Sequence, residues 1–226
     1  MSLELALRWT EILLGFAFVQ QSLEHLKSHQ NDRILFGLRL IFSVILMVGL
    51  QSQWVLLALV VISMLMLQRF QGPYNGGSDR MGLLILFCLT LAHFMPTLQL
   101  KELAFGYLGI QLVLSYFMAG WVKVVNPEWR RGQALQDVFA FSAYPVSLSL
   151  RGWAQRPQNL FYMSWAVMLF ELVFPLTLLT QYSLYMGLGI AAAFHFSNAC
   201  LFGLNRFFWV WIAAYPSIIW FQERFF

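Results

Sequence analysis

Tyr116, Gly120 and Lys123 stand at i, i+4 and i+7 in the stretch SYFMAGWVKVVNPEW, so a helix would set them on one stripe. A lysine partly shielded at the end of such a helix has two uses. It can extend its ammonium to the membrane surface, or it can act as a base whose amine is tuned by its neighbours. His195, Asn198 and Phe202 repeat the pattern at i, i+3 and i+7 in FHFSNACLF, a polar pair with an aromatic on the same face. That face suits a ligand with a polar head and an apolar body. Glu171 lies in FELVFP, and Pro175, four residues on, removes the N–H that would bond the carbonyl of residue 171. Glu11 and Arg39 also fall inside apolar runs, with Asp79 and His93 at segment edges. A charge at the centre of a membrane helix costs about 2.5–3.5 kcal/mol, so each is a candidate for function or for an internal ion pair. Arg39 with Glu11 or Glu171 is the pairing expected.

The elements that must position these groups follow from composition. Of 226 residues, 60% are hydrophobic and 11% charged. A soluble domain carries about 25% charged residues, which marks this chain as an all-α integral membrane protein with no soluble domain. Apolar runs at roughly 9–23, 34–50, 54–68, 81–97, 103–122, 159–180, 182–203 and 207–222 predict about eight spans in a single domain over 1–226. A short amphipathic helix is expected at the interface within 123–158, where GQALQDVF begins at Gly132. In the loop FQGPYNGGSDRM, Gly-Pro and Asn-Gly-Gly predict turns, with Ser78 as helix cap and Asp79 in the first turn. With eight crossings, Lys27, Arg33, Arg69, Arg80, Lys123, Arg130, Arg131, Arg151, Arg156 and Arg206 share one face, and Arg8, Lys101 and Arg224 the other. The positive-inside rule then places Lys123 on the cytoplasmic side. The net charge of +4 is a topology signal and not a nucleic-acid footprint. Cys88 and Cys200 lie in apolar runs without metal or redox spacing, and no cleavable signal is evident.

Taken together, these stretches resemble the membrane domain of vitamin K-dependent gamma-carboxylase and its bacterial relatives, the horizontally transferred transmembrane domain (HTTM) family. Tyr116-Phe117-Met118-Ala119-Gly120-Trp121-Val122-Lys123, followed by Trp129 and Gly132, is similar to the family's Y-F-x-A-G-x-x-K…W-x-x-G signature. Phe194 to Phe202 is similar to its F-H-x-x-N-x-x-L-F helix, with the aromatic Phe207-Phe208-Trp209-Val210 after it. Tyr74 to Met81 occupies the place of the family's polar loop. The resemblance implies that Lys123 is the base that deprotonates a reduced lipid quinone and that His195 lies near the quinone or the reacting centre. Glu171 would assist, while Tyr116, Asn198, Phe202 and Trp129 would line the cofactor. No metal is implied. The chain ends at Phe226 without the family enzyme's lumenal domain, so peptide carboxylation by this chain alone is not expected.

Two functions follow as expectations. One is a membrane enzyme that binds a lipid quinol for an oxygen- or quinone-linked modification of a peptide or small molecule. A separate protein would supply substrate recognition or redox coupling. The other is a non-catalytic accessory or anchor in maturation of a secreted peptide or periplasmic redox enzyme. Both place the chain in a membrane, with the bacterial inner membrane expected and lipid as its constant partner. No inverted repeat points to a transporter.

Overall fold

Long apolar runs have one local way to satisfy their backbone N–H and C=O groups away from water, and that is the helix. The computed structural model describes residues 1–26, 33–69, 76–142 and 147–226, which are helices joined by short turns, with no strand among them. The helices are α1 (Leu3–Leu26), α2 (Arg33–Val48), α3 (Ser52–Arg69), α4 (Gly76–Phe94), α5 (Leu98–Val125), α6 (Pro127–Arg130), α7 (Gln133–Phe141), α8 (Pro157–Val173), α9 (Gln181–Phe202) and α10 (Asn205–Phe225). Tighter 3-10 turns occupy Leu148–Gln155 and Phe174–Leu179.

Each expected span falls on a helix, yet among the described residues only four helices are long and apolar enough to cross a membrane. These are Gly77–Phe94, Leu98–Val125, Pro157–Leu179 and Gln181–Phe202. The expectation of eight crossings is corrected accordingly. The reasons lie in the residues: α1 carries Glu4, Arg8, Glu11 and Glu24, and the apolar part of α3 is a short Ser52–Gln68. α2 has 16 residues, and α10 carries Arg206, Glu223 and Arg224 at its ends with Pro216 inside it.

The described residues form two compact units. The first comprises residues 1–110 and 206–225. Its core is aliphatic and aromatic, with Leu14, Phe18, Leu56, Leu59, Ile85, Leu86 and Phe105 all buried. Close crossings rest on small residues: a Cβ on Gly15 would lie 3.0 Å from the Ser43 carbonyl oxygen, and one on Gly109 3.1 Å from that of Ser217. α2 and α3 are separate helices joined through a turn in which Gly49 and Gln51 take φ of +87° and +51°. Ser78 does not cap α4. The helix already begins at Gly76, and Ser78 is buried inside its first turns. At Gly77 a Cβ would meet the Phe207 ring at 2.8 Å, so glycine lets this turn pack against α10. The turn expected at Gly72-Pro73 and the Lys27 flank lie outside the described residues, whereas Gly76 and Gly77 of the turn expected at Asn75-Gly76-Gly77 belong to α4 instead.

The second unit covers residues 111–205. It holds the end of α5, the α6–α7 segment, α8 and α9. The short helix expected near 132–139 is α7, starting after Gly132 in the left-handed conformation at φ +77°. A Cβ on Gly132 would also lie 2.8 Å from the Cα of Phe161, so glycine serves both the turn and the packing. α9 opens with a capping box in which the Thr180 and Ser183 side chains bond each other's backbone N–H.

Candidate functional site

The opening stripe folds onto α8 and α9. Gly120 is the contact point: a Cβ there would lie 2.8 Å from the backbone nitrogen of Leu172 and 2.9 Å from Cβ of Glu171. Without a side chain at 120, α5 and α8 approach closely enough for Lys123, one turn on, to reach Glu171. The Lys123 amine donates to Oε1 at 2.5 Å and Oε2 at 2.6 Å. Glu171 is 3% exposed and the Lys123 side chain 19%. As the ammonium partner of a carboxylate, Lys123 carries three N–H bonds and has no lone pair to offer. To act as a base it must first pass a proton to Glu171, and these contacts make that a single short transfer. The ring of Trp129 covers the amine, its centroid 5.3 Å from Nζ.

Two turns back along α5, Tyr116 is buried and its hydroxyl lies 2.9 Å from Nε2 of His195. Phe174 packs on the Tyr116 ring at a centroid distance of 4.1 Å, and Phe170 meets it edge-on at 6.2 Å. The backbone change predicted at Pro175 is present: α8 ends at Val173 and tightens into the 3-10 turn that carries Phe174. The helix break therefore places an aromatic on the tyrosine as well as loosening the turn after Glu171.

The other predicted residues divide. Trp129 joins the Lys123–Glu171 cluster, and its carbonyl accepts a 2.8 Å bond from the Ser164 hydroxyl. Asn198 is half-buried one turn beyond His195, and its side chain has no partner among the described residues. Phe202 is directed to α7, edge-on to Phe139 at 5.0 Å, and Phe139 in turn stacks near Trp153 at 6.1 Å. Sequence reasoning missed Ser164 and Phe174. Ser164 was open to detection, since Leu160, Ser164, Met168 and Glu171 form one buried stripe of α8.

The expected pairing of Arg39 with Glu11 or Glu171 is overturned. Glu171 is held by Lys123, and Glu11 by Arg8 at 2.8 Å and His93 at 2.5 Å. Arg39 is instead buried with its guanidinium carbon 3.8 Å above the Phe18 ring, and its Nε has no hydrogen-bond partner among the described residues. No three His, Cys, Asp or Glu side chains among the described residues converge to hold a metal ion.

Four membrane-length helices define a polytopic integral membrane protein, in which an ion pair joins α5 to α8 and a Tyr–His pair joins α5 to α9. Its lineage is specific as well: the HTTM domain matches residues 2–223, and the chain belongs to that family of gamma-carboxylase-like membrane domains. No curated protein and no solved structure matches it.

Proposed function

We propose that this protein is a membrane enzyme that binds a lipid quinol and uses Lys123, with Glu171 as its proton partner, in an oxygen- or quinone-linked modification. The observation that carries the reading is the contact of the Lys123 amine with both Glu171 oxygens at 2.5 and 2.6 Å, at a helix crossing opened by Gly120. A bound quinol would supply two reducing electrons and a hydroxyl proton. The residues present fit such a molecule: the unpartnered amide of Asn198 offers a polar contact on the His195 face, and Trp129 offers a ring beside the amine. Lys123 hands a proton to Glu171 and then accepts one from the ligand. Tyr116 fixes the orientation of the His195 ring, and Phe174 holds Tyr116 in place. The substrate is a peptide or small molecule, with a separate protein in the bacterial inner membrane or beyond it supplying recognition.

One observation favours the alternative of a non-catalytic accessory. A lysine that donates twice to one buried carboxylate is also a sufficient clamp between α5 and α8. Mass spectrometry of organic extracts from solubilised wild type, Lys123→Ala and His195→Ala distinguishes the two. The enzyme reading expects a quinone in the wild type that is lost from folded variants. Its absence from all three, with equal stability, favours the accessory.

A further inference from the structure

The first unit contains a second polar constellation, independent of Lys123. It faces a cavity of about 830 Å³ formed where the start of α1, the α2–α3 turn, the end of α4, the first turn of α5 and the end of α10 meet. That volume lies within the range of ligand sites, about 300–1,000 Å³.

The floor of the cavity is an ion-pair network centred on Glu11. Glu11, 3% exposed, receives His93 Nε2 at 2.5 Å on one oxygen, and Arg8 at 2.8 Å and Ser52 Oγ at 3.3 Å on the other. Arg8 also donates to the carbonyls of Leu46, at 2.8 Å, and Met47 near the end of α2. Gly49 leaves room for that guanidinium, since a Cβ there would lie 3.1 Å from its carbon. At the rim Arg224 reaches both oxygens of Glu102 at 3.2 and 3.4 Å, and the Met1 amine bonds Glu223.

These pairs leave an imbalance. Glu4, the acid of the lining without a partner, is exposed to solvent, whereas Lys101 is half-buried against the cavity with no partner among the described residues. Lys101 has no counter-charge among the described residues, and an anion in the cavity would supply one. The same wall is apolar at Leu3, Leu7, Ala92, Leu98 and Trp220. Because α4 and α5 are both long enough to cross a membrane, their connection at 95–97 lies at a membrane face. Near this end Trp54 and Phe94 are exposed beside one another, with centroids 5.5 Å apart, as aromatics at headgroup level are.

We propose that this cavity binds the phosphate headgroup of an anionic phospholipid, with Lys101 as the charge that selects it. The test titrates the purified protein in neutral detergent with phosphatidylglycerol, phosphatidylcholine or sodium phosphate and counts adducts by native mass spectrometry. One saturable phosphatidylglycerol adduct is expected, with none of comparable occupancy from phosphatidylcholine. Lys101→Gln should weaken it by about tenfold, Lys101→Arg should retain it, and melting curves should show both variants folded. Displacement of the lipid by inorganic phosphate would support the anion site and assign its affinity to the headgroup alone. Equal binding of the two lipids, or undiminished binding by folded Lys101→Gln, would overturn the proposal.

Discussion

Lys123 and Glu171 are worth more as a pair than either is alone. Removing one partner from a buried ion pair leaves an uncompensated charge, so Lys123→Ala or Glu171→Leu should each cost about 3 kcal/mol of stability. The double variant Lys123→Met with Glu171→Leu should recover most of that loss, because two apolar groups need no compensation. Thermal melts of the solubilised single and double variants measure the coupling; strict additivity would argue against the contact. His25 makes a second prediction at this scale. It lies at the end of α1, outside the four crossing helices, with Arg206 at 2.6 Å from Nε2. Burial first, and then the charges of Arg206 and Arg39, lower its pKa from 6.5 to about 4. Between those two values the unfolded chain binds a proton that the folded chain refuses, so this residue makes stability fall as pH drops from 6.5 toward 4. A melting temperature that declines over that window, and declines less in His25→Gln, is the expected result.

Among the helices, glycine has opposite meanings at different positions. At Gly120 a methyl group would press on the backbone nitrogen of Leu172 at 2.8 Å, which cannot swing aside as a side chain would. Gly120→Ala should therefore separate α5 from α8, cost about 1–3 kcal/mol and lengthen the Lys123–Glu171 contact. Gly37, inside α2, and Gly189, inside α9, meet nothing within 4 Å of such a methyl. Alanine at either should be neutral or stabilise by up to about 1 kcal/mol. Chemical or thermal denaturation of the three variants under one set of conditions checks the contrast. Equal destabilisation would mean that helix packing at Gly120 is looser than its geometry indicates.

For the molecule as a whole, the prediction concerns orientation. The partition of ten basic residues against three was counted on eight crossings. With four crossings Lys123, Arg130, Arg131, Arg151 and Arg156 still share one face, and Lys101, at the opposite end of α5, lies on the other. The positive-inside rule therefore keeps the same sign. In a Cys200→Ser background, which removes the exposed native thiol, Asn126→Cys should react with a membrane-impermeant maleimide only after cells are opened. Thr97→Cys should react in intact cells. The reverse pattern would place Lys123 on the outer face.

The sequence by itself determined what short-range chemistry determines. Sparse charge set the membrane class, apolar runs set the places of the long helices, and the Y-F-x-A-G-x-x-K and F-H-x-x-N patterns set the family. Residues that share a helix face were legible because 3.6 residues per turn is a local rule; hence Gly120 and Lys123 both meet Glu171 on α8, with Tyr116 of the same stripe bonding His195 on α9. Only the tertiary structure decided which neighbours those are. Periodicity cannot rank partners on different helices, so Glu11 was matched with Arg39 when Arg8 and His93 hold it. That Lys123 bonds Glu171 directly depends on the close helix approach at Gly120, which no local pattern contains. The cavity beside Lys101 has no sequence signature at all, since five separate parts of the chain must meet before it exists. The physical reason is the same in each case: backbone geometry acts over one turn, whereas pairing and enclosure depend on where whole helices pack.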